Sequence, residues 1–150
     1  MPKIVLYQPD IAGNVGTIMR ACACLNVELH IIEPCGFVFD VQKIKKSALD
    51  YFDKVQLFRH SSFENFYQKH IDESNRLVLL TTKSDKNYLD FKFHQNDFLL
   101  FGRESAGVTE EIHNLCKNRL TIKMQNNMRS LNIAFSAAMV LSEAIRQTNY

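Results

Sequence analysis

Three short stretches carry polar residues at spacings that could grip a nucleotide-sized, partly anionic ligand. The first is Asn14-Val15-Gly16-Thr17-Ile18-Met19-Arg20. Asn14, Thr17 and Arg20 recur at three-residue steps, so a helix would set them along one line. An arginine there can hold a phosphate with its planar fork, or be an ordinary surface arginine. The second is Phe101-Gly102-Arg103-Glu104-Ser105-Ala106-Gly107, a charged turn between two glycines. Glycines let backbone approach a ligand closely. Glu104 could accept from a hydroxyl or amine, or cap the helix that follows. The third runs from Ile122-Lys123-Met124 through a polar loop to Arg129-Ser130-Leu131-Asn132. Ser130 reads as a helix N-cap, and the free N–H groups of a helix start also suit a carboxylate.

Other chemistries find little support. Neither a Gly-x-Gly-x-x-Gly fingerprint nor a P-loop follows the first apolar run. No Ser-His-Asp set is legible. His30, His60, His70, His94 and His113 follow no metal-binding spacing and read as structural or solvent-facing. Cys22, Cys24, Cys35 and Cys116 include no Cys-x-x-Cys; Cys22 and Cys24 read as small buried hydrophobes and the set as reduced thiols.

The elements that must position these stretches alternate. Ile4–Tyr7 reads as a buried strand. Asn14 would cap a helix whose apolar face is Val15, Ile18, Met19, Cys22 and Leu25. Val27–Ile32 is a second strand, Val41–Leu49 a weak basic helix, Val55–Phe58 a third strand. Ser61 and Glu64 form a capping box for a helix presenting Phe63, Phe66, Tyr67 and Ile71. Strands at Leu77–Leu80, Phe98–Phe101 and Leu120–Met124, a short helix at Glu110–Cys116 and a long one at Leu131–Gln147 complete the pattern, with Asp85–Gln95 as loop or loop plus an edge segment. This predicts one α/β domain over residues 1–150, a mostly parallel sheet with helices on both faces. Ligands in such sheets bind at the carboxyl ends of strands, where all three stretches fall. The last helix is apolar nearly all round, which points to a subunit interface rather than cover by its own chain alone.

Composition sets wider bounds. The 150 residues carry 18 basic and 16 acidic side chains, too balanced for net charge alone to indicate a nucleic-acid binder. Local clusters are Lys43, Lys45 and Lys46, then Arg59 and His60, then Lys117, Arg119, Lys123 and Arg129. The opening residues hold too short an apolar run for a signal peptide, and no run approaches a membrane span. A cytoplasmic location is the expectation.

Taken in order, the three stretches resemble the motifs of SPOUT RNA methyltransferases. Ile4–Pro9 and Gly13–Cys22 resemble the first motif, Leu29–Phe37, Lys45 and Leu49-Asp50-Tyr51 continue it, Phe101–Gly107 is similar to the second, and Arg129–Asn132 to the third. Within the class the chain looks most like the small stand-alone members that methylate the tRNA wobble ribose. The resemblance implies a C-terminal trefoil knot, a homodimer through the C-terminal helix, S-adenosyl-L-methionine as methyl donor with no metal, and the tRNA anticodon stem-loop as partner. It implies donor binding at Leu80, Gly102, Ile122 and Ser130, and catalytic roles for Arg20, Asn14, Glu104 and Asn132. A guanidinium stays protonated, so Arg20 is better read as a phosphate clamp than as a base. Ile11-Ala12-Gly13, Lys123 and Ala134-Phe135 depart from the family pattern. A ribosomal RNA methyltransferase and a catalytically inactive RNA-binding dimer are the alternative expectations.

Overall fold

A computed structural model describes residues 1–149; the side chains of Ser47, Leu49 and Asn149 lie outside the described ones. Six strands form one sheet: β1 (Lys3–Tyr7), β2 (Glu28–Ile32), β3 (Gln56–His60), β4 (Arg76–Leu80), β5 (Asp97–Phe101) and β6 (Asn118–Leu120). Their spatial order is β3-β2-β1-β5-β4-β6, and every pairing is parallel. The helices are α1 (Ala12–Leu25), α2 (Val41–Ala48), α3 (Phe63–His70), α4 (Glu110–Leu115) and α5 (Ile133–Asn149), with 3-10 turns at Leu49–Lys54 and Tyr88–Asp90.

Side-chain alternation along the strands builds two cores. Ile4 and Leu6 of β1 and Leu99 and Phe101 of β5 face one side, with Val15, Ile18, Met19 and Cys22 of α1 and Ala137, Val140, Leu141 and Ala144 of α5. Val5, Tyr7, Phe98 and Leu100 face the other, with Phe63 and Phe66 of α3 and Ile112 of α4. Because both faces are covered, β5 is buried at all five positions, which is why Phe98–Phe101 reads as an unbroken apolar run. Each fully buried Leu or Ile contributes about 1.5–3 kcal/mol.

Several local expectations change. Asn14 is not the cap of α1; Ile11 is, and it makes no side-chain cap bond. Asn14 lies inside the first turn with its side chain engaged elsewhere, as described below. Leu25 and Cys24 are exposed, because α1 turns out of the core before Asn26 closes it in the left-handed conformation (φ 53°). The cap of α3 is Ser62, which accepts from the Asn65 N–H; β3 runs on to His60, and burying Phe63 makes it the first helical residue. β6 stops at Leu120 rather than Met124, because its partner β4 ends opposite it, at Leu80. Ser130 does not cap α5. Asn132 does, its side chain accepting from Ala134 N–H (2.8 Å) and its carbonyl from Ser136 N–H (3.0 Å). The loop at Asp85–Gln95 is ordered by burial of Tyr88, Phe91 and Phe93, and Gln147 of α5 bonds the backbone of both phenylalanines.

One charge is buried at the amino end of the sheet. Asp97, fully buried, takes both Nε and Nη2 of Arg76 at 2.7 and 2.8 Å and the His94 N–H at 2.8 Å. Removing one partner of such a pair strands the other. Asp97→Ala is expected to lower unfolding free energy by about 3 kcal/mol, measured by urea denaturation.

Candidate active site

The loops after β1, β4, β5 and β6 enclose a cleft of about 610 Å³ with the start of α5 along its edge. Leu80 ends β4, Phe101 ends β5, and Ile122 follows β6, so the carboxyl ends of three neighbouring strands form the floor. Of the residues singled out in the sequence, Asn14, Leu80, Gly102, Glu104, Ile122, Ser130 and Asn132 all line it. Leu80 and Ile122 are half-buried and apolar, while Ser130 and Asn132 are exposed at its mouth.

A continuous set of hydrogen bonds joins the three sequence stretches. One carboxylate oxygen of Glu104 accepts the Asp10 N–H at 2.7 Å and the other accepts from Asn14 Nδ2 at 3.2 Å. Asn14 Oδ1 in turn accepts from Asn132 Nδ2 at 3.1 Å. Asn14 therefore links Glu104 to the cap of α5. Glu104 does not cap the next helix; Thr109 does, accepting from the Ile112 N–H.

Asp10 anchors this set and gave no signal in the sequence. Its Oδ1 takes Arg103 Nη2 (2.6 Å) and Nε (3.2 Å), and its Oδ2 takes the Ser105 hydroxyl (2.6 Å) and N–H (3.0 Å). Arg103, a cation at the cleft, is thereby committed to Asp10. Gly36 matters for the same reason: a Cβ there would lie 2.6 Å from Asp10 Oδ1 and 2.9 Å from its Cα. The glycine of the second motif also serves the chain itself. A Cβ on Gly102 would meet the Gly107 carbonyl carbon at 2.5 Å and Val108 N at 2.8 Å. Paired backbone bonds between Arg103 and Gly107 (3.0 and 2.8 Å) close this turn, with Gly107 at φ 66°.

Arg20 is the exception. It is exposed, does not line its own chain's cleft, and sits over the Tyr51 ring at 5.0 Å. Lys54 approaches the same ring at 6.0 Å, and Lys43, Lys45 and Lys46 are exposed on neighbouring α2. Thr17 bonds the Gly13 carbonyl at 3.0 Å rather than the cleft. The Arg59–His60 cluster dissolves: Arg59 pairs with Glu33 at 2.5 Å and stacks on Phe39, while His60 is buried beside His30 and His70. Burial raises the Cys22 thiol to about 12 and that of Cys116 to about 11, which leaves both as inert apolar groups.

The Arg103 bond, followed by the two Ser105 bonds, holds the Asp10 carboxyl at about 2, below its ordinary 3.8. A lowered native value means that its contribution to stability is complete above about pH 4 and is lost as pH falls towards 2. Asp10→Asn is expected to flatten the acid limb of the stability profile in that window, measured by urea midpoints at stepped pH; a limb as steep as the parent's would contradict the assignment.

Residues 1–142 match the model of the SpoU rRNA Methylase family. A Beijerinckia indica protein named tRNA (cytidine(34)-2'-O)-methyltransferase is 51% identical, covering 96% of this chain and 90% of its own. A solved structure bearing on the 2-OH methylation of C/U34 on tRNA superimposes with TM-score 0.93 at 36% identity, covering 98% and 95% of the two chains. The SpoU methyltransferase AviRb of Streptomyces viridochromogenes, in complex with AdoMet, superimposes with TM-score 0.85 at 26% identity, over 98% of this chain and 57% of that one. With three motifs joined at one cleft and nearly the whole chain matched, the protein belongs to the SpoU methylase family of RNA methyltransferases.

Proposed function

We propose that this chain transfers a methyl group from S-adenosyl-L-methionine to the ribose 2′-hydroxyl of the tRNA wobble nucleotide, cytidine or uridine at position 34. The observation that carries this is the convergence of Asn14, Glu104 and Asn132 on a cleft lined by Leu80, Gly102, Ile122 and Ser130. The extent and identity of the match to the Beijerinckia indica protein support the substrate.

The cleft suits the donor. Its size falls in the range of nucleotide-sized pockets. Leu80 and Ile122 offer apolar faces for an adenine, and the turn at Gly102–Gly107 and the Ser130 hydroxyl offer polar groups at the edges. When bound, S-adenosylmethionine supplies a methyl group activated by its sulfonium. The protein then has mainly to position the attacking oxygen. Glu104 has both carboxylate oxygens engaged, so its role is to fix Asn14 and the loop at Asp10 rather than to take the proton. Asn14 and Asn132 orient RNA or water at the mouth.

Arg20 serves as the phosphate clamp, with Lys43, Lys45, Lys46 and Lys54 extending a basic surface for RNA backbone. Its distance from its own cleft fits a site completed across a homodimer. α5 supports that assembly. Ile133, Ala137, Val140, Leu141 and Ala144 are buried, while Phe135 (68% exposed) and Met139 (40%) leave an apolar stripe on the open side. We also read the segment after β6 as threaded into the trefoil knot of the family; the bonds of Thr121 to Lys86 and of Gln147 to Phe91 and Phe93 support this. No helix among the described residues is long and apolar enough to cross a membrane, and action in the cytoplasm fits a tRNA substrate. Ribosomal RNA as substrate is the second reading, favoured by the family's description.

Transfer of labelled methyl to unmodified tRNA and to ribosomal RNA, followed by nucleoside analysis, separates the two. The expected product is 2′-O-methylcytidine or 2′-O-methyluridine from tRNA; label only in ribosomal RNA selects the second reading. Arg20→Ala should lower transfer by about 100-fold or more with donor affinity unchanged; a fully active variant removes Arg20 from the reaction. Phe135→Glu should shift the light-scattering mass from two chains to one, and a parent that is already monomeric at micromolar concentration would refute the dimer.

A further inference from the structure

On the sheet face opposite α1 and α5, the fold collects three histidines that lie far apart in sequence. His30 is in the middle of β2 and fully buried, His60 ends β3 at 3% exposure, and His70 is the last residue of α3. One ring nitrogen from each lies within 4.8 Å of the other two. His30 Nδ1 and His60 Nε2 are 3.0 Å apart. His70 stands edge-on to both rings, at centroid distances of 4.8 and 5.1 Å. We propose that His30, His60 and His70 form a binding site for one zinc ion per chain, which ties α3 to the β2–β3 edge of the sheet.

Two features of the cluster favour a cation over a purely packed core. His70 Nε2 is buried and has no hydrogen-bond partner among the described residues. Such an atom costs free energy unless something satisfies it, and a metal ion does. Next, an outer partner orients one of the rings. Glu28 Oε2 lies 3.3 Å from His30 Nε2, which leaves Nδ1 pointing at the cluster. A carboxylate or amide behind a ligating imidazole is the usual outer shell of such sites.

The geometry needs a modest closure. Bonds of about 2.0–2.1 Å in a tetrahedron place ligand nitrogens about 3.3 Å apart. The His30–His60 pair is already near that, so the adjustment falls on His70, in the last turn of α3. Three imidazoles suit zinc, one of the transition metals that imidazole binds, better than they suit magnesium or calcium. Lys3 and Lys69 add positive charge nearby and Glu28 offsets part of it. Phe58, Phe66 and Phe98 pack around the histidines, and none of these residues lines the substrate cleft, so the ion acts on stability rather than on methyl transfer.

Tag-free protein stripped by a chelator, then titrated with zinc against a chromogenic competitor, tests the site. The expected result is one zinc per chain, bound at least tenfold more tightly than by His70→Gln or His60→Gln, with the exposed His94→Gln unchanged. Cobalt should give the visible absorption of a four-coordinate site in the parent and lose it in His70→Gln. Zinc should raise the melting temperature of the parent and leave that of His70→Gln in place. Lack of stoichiometric binding by the folded parent, or equal binding by both variants, overturns the proposal. Methyl transfer by His70→Gln at the parent rate shows that the variant is folded.

Discussion

A single carboxylate, that of Asp10, holds the cleft end of this molecule together. It sits just after the first strand, yet its two oxygens take four hydrogen bonds from Arg103 and Ser105, more than ninety residues later in the chain. Its own N–H donates to Glu104 in return. The exchange is reciprocal: the first loop fixes the second motif, and the second motif fixes the first loop. Asn14 then carries the connection to Asn132 and the start of α5. None of these groups is deeply buried, so each bond contributes modestly to stability. Their value is positional, since a displacement of about 1 Å in an oriented transfer reaction can cost a factor of about a hundred.

The sheet decides why this joint falls where it does. In the order β3-β2-β1-β5-β4-β6, β1 and β5 are neighbours, so the loops leaving their carboxyl ends emerge side by side. β4 and β6 extend the same rim and supply Leu80 and, just beyond the ladder, Ile122. The close approach of Gly102 to Gly107 and of Gly36 to Asp10 shows how little room the rim leaves. Both glycines are needed whatever the ligand, Gly102 because backbone packs on backbone there and Gly36 because the Asp10 carboxylate and Cα lie against it.

Much of this was legible in the residues, for physical reasons. Strands buried on both faces, such as Phe98–Phe101, announce themselves as short apolar runs. The helix faces of α1 and α3 follow the spacing of Val15, Ile18, Met19 and of Phe63, Phe66. The cleft residues follow from the resemblance of the whole chain to a known family, which carries topology that periodicity does not. What was hidden depends on tertiary contact. The caps at Ser62 and Asn132 shifted from Ser61 and Ser130 because strand pairing and side-chain bonds across the cleft set helix starts more finely than residue type does. Asp10 follows a proline in a loop and belongs to no periodic pattern. The histidine cluster has members thirty and ten residues apart, joined only by the register of β2 on β3 and the docking of α3.

The all-parallel sheet also governs how the chain can come into being. Since every ladder is parallel, no strand can pair with its successor through a tight turn, and each pairing waits for a crossover. For β1 the second partner is β5, which begins at Asp97. At synthesis rates of about 5–20 residues per second, β1 spends on the order of ten seconds without that partner. During this interval Ile4 to Tyr7, all buried in the finished protein, have one edge open. The nascent chain therefore carries an unsheltered apolar template until β5 has emerged, and the rim of the cleft is assembled only after β6 and the start of α5 have followed it.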